Sequence, residues 1–357
     1  MYDKQDAVMT QGFAILCMVI LHLFCRTGPD VFGTPLLWID RDTPFVYWFG
    51  FYAEICVSVF SVCAGYAQYL LYLNGRTTWR STGKRILKLL VNYWTILLLF
   101  SVLGLIHSSQ KTIPGSLPDF LKSIFLLHSY NGAWWYLNTY LLFLLIPAAV
   151  KFFPVKKLSV SSGLVLCFVF SFAWYLINKF GYWPSISESN RFLSFILKEL
   201  HNLIGILPSV LAGAFLCKGN VITRVNDLIL KKVHGLMIHK LILGSAWIVL
   251  FVAMNLIHKA ALTIIFSLAS FLLFNLWEKG QIVRKIWLFL GKHSTNIWLT
   301  HMFFYSVLFP GLVQKAKYPI VMLGFMLILC IFFSYLEKML EKGVYRAFQH
   351  KPFNTTN

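Results

Sequence analysis

Long apolar windows recur along almost the whole chain, and they constrain its fold more than any other feature. Each is long enough to cross a bilayer as a helix, because about 20 residues at 1.5 Å per residue span the hydrocarbon layer. The ten windows are residues 7–25, 45–73, 86–107, 133–152, 159–179, 196–217, 241–257, 260–277, 286–312 and 318–337. The pattern predicts an all-α polytopic membrane protein with about ten transmembrane helices.

Composition excludes the main alternatives to a membrane protein. Only 13% of the 357 residues are charged and 58% are hydrophobic, whereas soluble domains carry about 25% charged residues. Disordered chains are poorer in apolar residues, and secreted disulfide scaffolds are smaller and richer in cysteine. We therefore expect a single transmembrane domain over residues 1–357, with no soluble domain appended.

The basic residues indicate an orientation in the membrane. The formal net charge is +19, which in a soluble protein would suggest a nucleic-acid partner. Here 22 of the 32 Lys and Arg residues fall in alternate loops that become cytoplasmic if the N-terminus is inside. Such a bias is typical of cytoplasmic loops. It predicts an even number of spans, both termini in the cytoplasm, a lipid bilayer as partner and no nucleic acid.

Ionisable side chains inside predicted spans are functional candidates, because burying them in lipid is costly. His22 lies near the outer end of the first window, eleven residues after Gln11, so both share one helix face about 16 Å apart along the axis. A histidine can accept a hydroxyl proton near neutral pH. Glu54, in the second window, could orient its imidazole as a carboxylate does in a hydrolase triad. A hydrogen-bonded histidine between helices and a neutral buried carboxyl are the alternatives.

The ninth window carries a second histidine, His301. Ser294 is a plausible N-cap, which would place His301 only about 10 Å from the cytoplasmic side. This reading predicts that His301 does not reach His22. It leaves His301 a structural or acceptor-binding role.

Two further groups of residues suggest ligand contacts. Arg76, Arg85 and Lys88 belong to a basic loop and helix start on the predicted inner side, where they could bind a pyrophosphate; positive-inside retention is the alternative. Trp135 and Asn138 open the fourth window on the outer side. They could stack on and hydrogen-bond a sugar, or belong to an aromatic belt.

Taken together, these segments resemble the acyltransferase 3 family of multi-spanning O-acyltransferases of surface polysaccharides. The first window matches the family's Arg/Lys–x10–His element at its apolar body and at His22. Five other segments match family elements in the same order, and they are Ile55–Tyr66, Arg85–Lys88, Trp134–Asn138, Leu211–Lys218 and Ser294–His301. The sequence departs from the pattern at three positions, with Gln11 for Arg or Lys, Ala64 for Ser and Lys88 for Arg.

The resemblance implies a function and assigns roles to these residues. It implies transfer of an acetyl or other acyl group from cytosolic acyl-CoA to a hydroxyl of a cell-surface or lipid-linked saccharide, in a bacterial plasma membrane. His22 and Glu54 would be catalytic; Gln11, Arg76, Arg85 and Lys88 would bind acyl-CoA. Trp135, Asn138 and His301 would bind the acceptor or serve the structure.

Acyl-CoA carries the activated group as a co-substrate, so we expect no metal and no bound cofactor. Homo-oligomerisation stays open. A secondary transporter or lipid-linked saccharide flippase is the alternative from another class, because buried histidines and a glutamate also suit proton coupling. A catalytically inactive relative is the third reading, for which Gln11 is the best support.

Overall fold

Helices form nearly all the regular structure of the part of the chain that we describe. The computed structural model describes residues 2–26, 31–107, 113–184, 190–232, 235–257 and 260–349; the predicted outer-loop cations Lys111 and Lys259 lie outside these ranges. In chain order the α-helices are α1 Lys4–Phe24, α2 Phe45–Tyr52, α3 Cys56–Leu73, α4 Trp79–Ile106, α5 Leu117–Ile124, α6 Trp135–Leu145, α7 Ala148–Lys151, α8 Phe153–Lys157, α9 Val160–Lys179, α10 Arg191–Gly219, α11 Val221–Lys232, α12 Leu236–Ile257, α13 Thr263–Leu276, α14 Gln281–Met302 and α15 Pro319–Gln349.

The all-α prediction is confirmed, and helices occur at each of the ten predicted segments. Seven segments are long and apolar enough to cross a membrane, counted over the described residues. They are α1, the continuous α2–α3, α4, α9, α10, α12 and α15. The other three, α6, α13 and α14, are shorter or more polar, so ten spans and cytoplasmic termini stay predictions.

Local sequence explains where the first spans begin. Asp3 caps α1 by accepting hydrogen bonds from the amides of Gln5 and Asp6, and the Asp6 carboxylate accepts one from the Asp3 amide. Thr78 and Ser81 form the same reciprocal capping box at the start of α4. Capping satisfies amides that have no partner within the helix, so both starts are defined by the sequence itself.

Helices α1 and α14 run parallel in close contact through glycine. A Cβ on Gly12 would lie 2.4 Å from the carbonyl oxygen of Trp287, and one on Gly291 would lie 1.8 Å from that of Val8. No larger residue fits at either position without moving a backbone. This contact fixes the register of the two parallel helices. It places the end of α1 beside the end of α14.

Helices α3 and α10 also pack parallel, in the same manner. A Cβ on Gly65 would meet the carbonyl oxygen of Val210 at 1.8 Å, and one on Gly213 would meet that of Val62 at 2.0 Å. Helix α3 is antiparallel to α1, since the Cys63 thiol lies 3.7 Å from the Ala7 carbonyl oxygen while Gly50, on α2, packs on Phe24. Small residues let membrane helices approach closely.

The outer surface of the bundle is apolar where it would meet lipid. Exposed leucine, isoleucine, valine and phenylalanine side chains cover α4, α9 and α12, among them Leu98, Leu105, Val165, Val169 and Ile248. Polar side chains are concentrated inside, which is the arrangement expected for a bilayer solvent. Following the predicted orientation, we call the end at which α1 begins the inner end and the opposite end the outer end.

Candidate functional site

Two histidines face each other at the outer ends of α1 and α14. The ring centroids of His22 and His301 lie 4.9 Å apart, with the ring planes inclined by 41°. The prediction that His301 does not reach His22 is therefore wrong. Its error was the helix start: α14 begins after Gly280, and Ser294 is buried within the helix instead of capping it. His301 thus lies twenty residues into α14, about 30 Å along its axis.

The hydrogen bonds of His301 define its tautomer. Its Nδ1 lies 3.1 Å from the carbonyl oxygen of Ile297 and 2.8 Å from that of Trp298. Because both partners only accept, Nδ1 carries a proton and donates. Nε2 of this fully buried ring has no hydrogen-bond partner within the described protein. In the neutral ring, Nε2 carries a lone pair that can accept a hydrogen bond. This ring is the one that faces His22.

Glu54 lies in the turn between α2 and α3, beside the end of α1. The Cys25 thiol lies 3.8 Å from its Oε1, and Cys25 follows His22 by three residues. The carboxylate is thus placed about one helical turn beyond the histidine that it was predicted to orient. Its action on His22 stays a prediction.

A cavity of about 200 Å³ extends from the inner half of the bundle toward the histidine pair. Its lining residues are Ala7, Gln11, Met18, Phe60, Cys63, Ala64, Ala67, Gln68, Leu89, Tyr136, Tyr140, Ser294, Thr295 and Trp298. We call it the inner cavity. Met18 and Trp298 each precede a histidine of the pair by about one helical turn, so the cavity points at His22 and His301. Gln11 and Ala64, two of the departures from the family pattern, both line it.

The predicted cationic residues lie near the inner end of this cavity and differ in exposure. Arg85 is half-buried on α4, about one helical turn before Leu89, which lines the inner cavity. Lys88 is exposed on the same helix. Arg76 lies in the exposed loop before α4, where its carbonyl accepts from Ser81. Arg85 is therefore the cation placed best for a ligand that enters the inner cavity.

Trp135 and Asn138 line a second cavity, nearer the outer end. It has about 250 Å³ and is lined by Tyr93, Leu126, Leu127, His128, Ser129, Gly132, Trp134, Trp135, Asn138, Phe195, Lys198 and Glu199. We call it the outer cavity. The Asn138 amide nitrogen donates to the carbonyl oxygen of Leu126 at 3.1 Å and to Oε1 of Glu199 at 3.2 Å. Asn138 thus holds the wall of the cavity together.

Two buried carboxylates escaped the sequence prediction. Glu199 lies in the outer cavity, and Glu337 is fully buried on α15, where its Oε2 accepts from Asn296 at 2.5 Å. Asn296 in turn accepts from Asn92 at 2.6 Å, so a polar chain joins α4, α14 and α15. Both acids fall inside predicted spans, at residues 196–217 and 318–337, and the rarity of ionisable residues there was the available signal.

The fold and this site define a class. A helical bundle with seven candidate spans, a buried histidine pair and a cavity leading to it describe a multi-pass membrane protein with a site inside the bundle. A family model described as an acyltransferase domain, Acyl_transf_3, matches residues 9–336. The chain therefore belongs to this family of membrane acyltransferases. Neither the search of curated proteins nor the search of solved structures gave a match.

Proposed function

We propose that this protein is an O-acyltransferase that moves an acetyl or other acyl group from acyl-CoA to a hydroxyl of a cell-surface or lipid-linked saccharide. The observation that carries the proposal is the His22–His301 pair, about one helical turn beyond the end of the inner cavity, in a chain of the acyltransferase family. It combines an imidazole, which can accept a proton, with an approach for a substrate from the inner half of the bundle.

The acyl donor enters from the inner end in this proposal. CoA has a phosphate-bearing head and a long, thin pantetheine arm, so the head can stay in water while the thioester reaches into the protein. Arg85, with Arg76 and Lys88 around it, supplies positive charge for the phosphates. Gln11 supplies an amide dipole in the cavity wall. The lining between Gln11 and Met18 extends about 10 Å along α1 toward His22.

His22 acts as general base in the proposed reaction. Its imidazole takes the proton of the acceptor hydroxyl while that oxygen attacks the thioester carbonyl carbon. The tetrahedral intermediate then collapses, the carbon–sulfur bond breaks, and the CoA thiolate leaves and takes the proton from the imidazolium. The products are the acyl ester and free CoA, with charge and protons balanced.

His301 and Glu54 position His22 in this scheme. The Nδ1 proton of His301 is bound to backbone carbonyls, and its Nε2, which has no hydrogen-bond partner within the described protein, belongs to the ring that faces His22. In the reacting complex Nε2 accepts from an N–H of His22, which selects one tautomer of His22 and leaves its other nitrogen for the substrate. Glu54, held against Cys25, lies close enough to the end of α1 to stabilise the imidazolium that forms.

The acceptor would approach from the outer end, and the outer cavity with Trp135 and Asn138 favours a saccharide there. Such a route places the protein in a cell membrane, with acyl-CoA on the cytoplasmic side and the acceptor reaching the bundle from the other side. Tryptophan presents an apolar face to a sugar ring, while polar groups at its edge can bind hydroxyls.

The test is release of CoA thiol from acetyl-CoA by the full-length protein, purified in a detergent without a sugar headgroup. Wild type should release thiol and transfer acetyl to added saccharide, and His22→Ala should do neither while keeping its elution profile and melting temperature. Acetyl-CoA should also raise the melting temperature of both proteins, because a ligand stabilises the state that binds it. Folded wild type with neither thiol release nor stabilisation by acetyl-CoA would overturn the proposal in favour of a transporter or an inactive relative.

A further inference from the structure

The outer cavity contains a buried carboxylate whose hydrogen bonding is half satisfied. Glu199 is only 6% exposed, and its Oε1 accepts from Asn138 at 3.2 Å. Its Oε2 is buried and has no hydrogen-bond partner within the described protein. A buried polar atom without a partner destabilises the folded protein. Because Glu199 lines the cavity, a donor group on a bound ligand can supply the missing hydrogen bond.

We propose that the outer cavity is a binding subsite for an uncharged saccharide ring, in which Glu199 accepts a hydrogen bond from a ring hydroxyl and Trp135 packs on the ring face. Trp135 is half-buried at the start of α6, so part of its indole is open to a ligand. An aromatic face beside a hydrogen-bonding carboxylate suits a ring that is apolar on its faces and hydroxylated at its edge.

The charges in the lining exclude other classes of ligand. The Glu199 carboxylate disfavours a phosphate or carboxylate group, and Lys198 on the adjacent position of α10 balances it. An acyl chain would leave the buried Oε2 of Glu199 without a partner, at a cost. A neutral ligand with several hydroxyls satisfies both charged groups at once.

The wall of this subsite is hydrogen-bonded to the turn of α14 that carries His301. The indole nitrogen of Trp134 donates to the carbonyl oxygen of Leu299 at 3.0 Å, and the Asn131 amide donates to the same oxygen at 3.1 Å. Trp134 therefore stands between the outer cavity and the helix that bears the histidine. A ring in the outer cavity is thus a neighbour of the acylated sugar and is not itself at His22. This last step rests on the proposed function; the subsite does not.

Saturation-transfer NMR with the full-length protein in sugar-free detergent tests the subsite directly. The probes are neutral di- to tetrasaccharides of glucose, galactose, mannose and N-acetylglucosamine. At least one should receive saturation from wild type, and Trp135→Ala and Glu199→Ala should each weaken its binding at least tenfold. Glu278→Gln, which changes an exposed acid at the other end of the bundle, and Trp79→Ala, which removes an exposed tryptophan, should leave it unchanged.

Each outcome of this experiment decides something. Absence of wild-type saturation transfer to every probe overturns the subsite, and so does unchanged binding by folded Trp135→Ala. Trp135 is half-buried, so its removal keeps the proposal testable even where Glu199→Ala unfolds. Saccharide binding without acetyl transfer would overturn the proposed function and keep the subsite. Acetyl transfer with an unaltered acceptor KM in Trp135→Ala would support the proposed function and overturn the subsite.

Discussion

His22 and His301 face each other at 4.9 Å between ring centroids, although they belong to the first and the ninth of the ten predicted segments. The parallel packing of α1 on α14 through Gly12 and Gly291 produces this contact, because it brings the outer ends of both helices together. The contact between the histidines therefore depends on backbone packing ten residues earlier on both helices. The two imidazoles lie about one helical turn beyond the end of the inner cavity.

The two histidines should act as a unit. His22→Ala is expected to lower acyl transfer by about 10²–10⁴-fold, the usual contribution of a general base. His301→Ala should lower kcat with little change in the KM for acetyl-CoA, because it positions His22 and does not touch the donor. The double variant should be no worse than His22→Ala alone, since residues that act together are not additive. CoA thiol release measured across this cycle checks all three expectations.

A matched control for the histidine cycle is His107→Ala, at an exposed position at the end of α4. It should transfer at the wild-type rate. If the rate loss of the double variant equals the product of the losses of His22→Ala and His301→Ala, the two residues are not coupled and act in separate steps.

Arg85 should matter more to the donor than its neighbours in the same basic segment. Arg85→Ala is expected to raise the KM for acetyl-CoA about tenfold, since a charged hydrogen bond to phosphate is lost. Arg85→Lys should recover part of the loss, because it keeps the charge without the bidentate fork. Steady-state kinetics against acetyl-CoA at two salt concentrations measure both effects.

Arg80→Ala is the control for Arg85, because Arg80 is an exposed arginine five residues earlier on α4. Its KM should stay at the wild-type value. If Arg80→Ala and Arg85→Ala raise the KM equally, the basic segment acts as a diffuse positive field, and the specific donor contact inferred at Arg85 is wrong.

The sequence predicted the helices well because each span is recognisable from a local property, a long apolar run. The start of α14 was predicted wrongly for a related reason. Ser294 and its polar neighbours look like a helix start, yet Ser294 donates to Gly291 and Asn296 finds Ser334 and Glu337 on α15. Local sequence does not show that a distant helix supplies partners for a polar run, so a buried polar segment was interpreted as a cap.

The candidate site likewise contains residues that local sequence predicts and residues whose roles depend on tertiary contacts. His22 was found because an ionisable residue inside an apolar run is conspicuous on its own. The role of Glu199 depends on Asn138, which lies on another helix, and the contact of His22 with His301 depends on glycine packing. Tertiary contacts of this kind leave no mark at any one position of a single sequence.

The polar chain from Asn92 through Asn296 to Glu337 should stabilise the packing of α15. Glu337→Ala removes the acceptor of a 2.5 Å hydrogen bond in a fully buried position, and it should cost about 1–3 kcal/mol. Glu341→Ala, one turn further on the same helix and partly exposed, should cost much less. Apparent melting temperatures in the same detergent compare the two. An equal drop for both variants would mean that the loss comes from α15 in general and not from this hydrogen bond.

The glycine contacts predict that Gly→Ala substitutions change the stability of the protein in opposite directions at different positions. Gly65→Ala and Gly291→Ala should each destabilise the protein by about 1–3 kcal/mol or more, because the new Cβ would lie 1.8 Å from a backbone carbonyl oxygen that cannot rotate away. Gly324→Ala on α15 meets nothing within 4 Å, and it should be neutral or stabilising by about 0.5–1 kcal/mol through helix propensity.

The two destabilising glycine variants should differ in function. Gly291→Ala separates α1 from α14 and so moves His301 away from His22, whereas Gly65→Ala acts between α3 and α10. At a temperature where both remain folded, Gly291→Ala should lose more of its transfer rate than Gly65→Ala for the same loss of melting temperature. Thiol release and thermal unfolding on the same samples make the comparison. Equal rates at equal stability would show that the histidine contact does not depend on the parallel packing of α1 and α14.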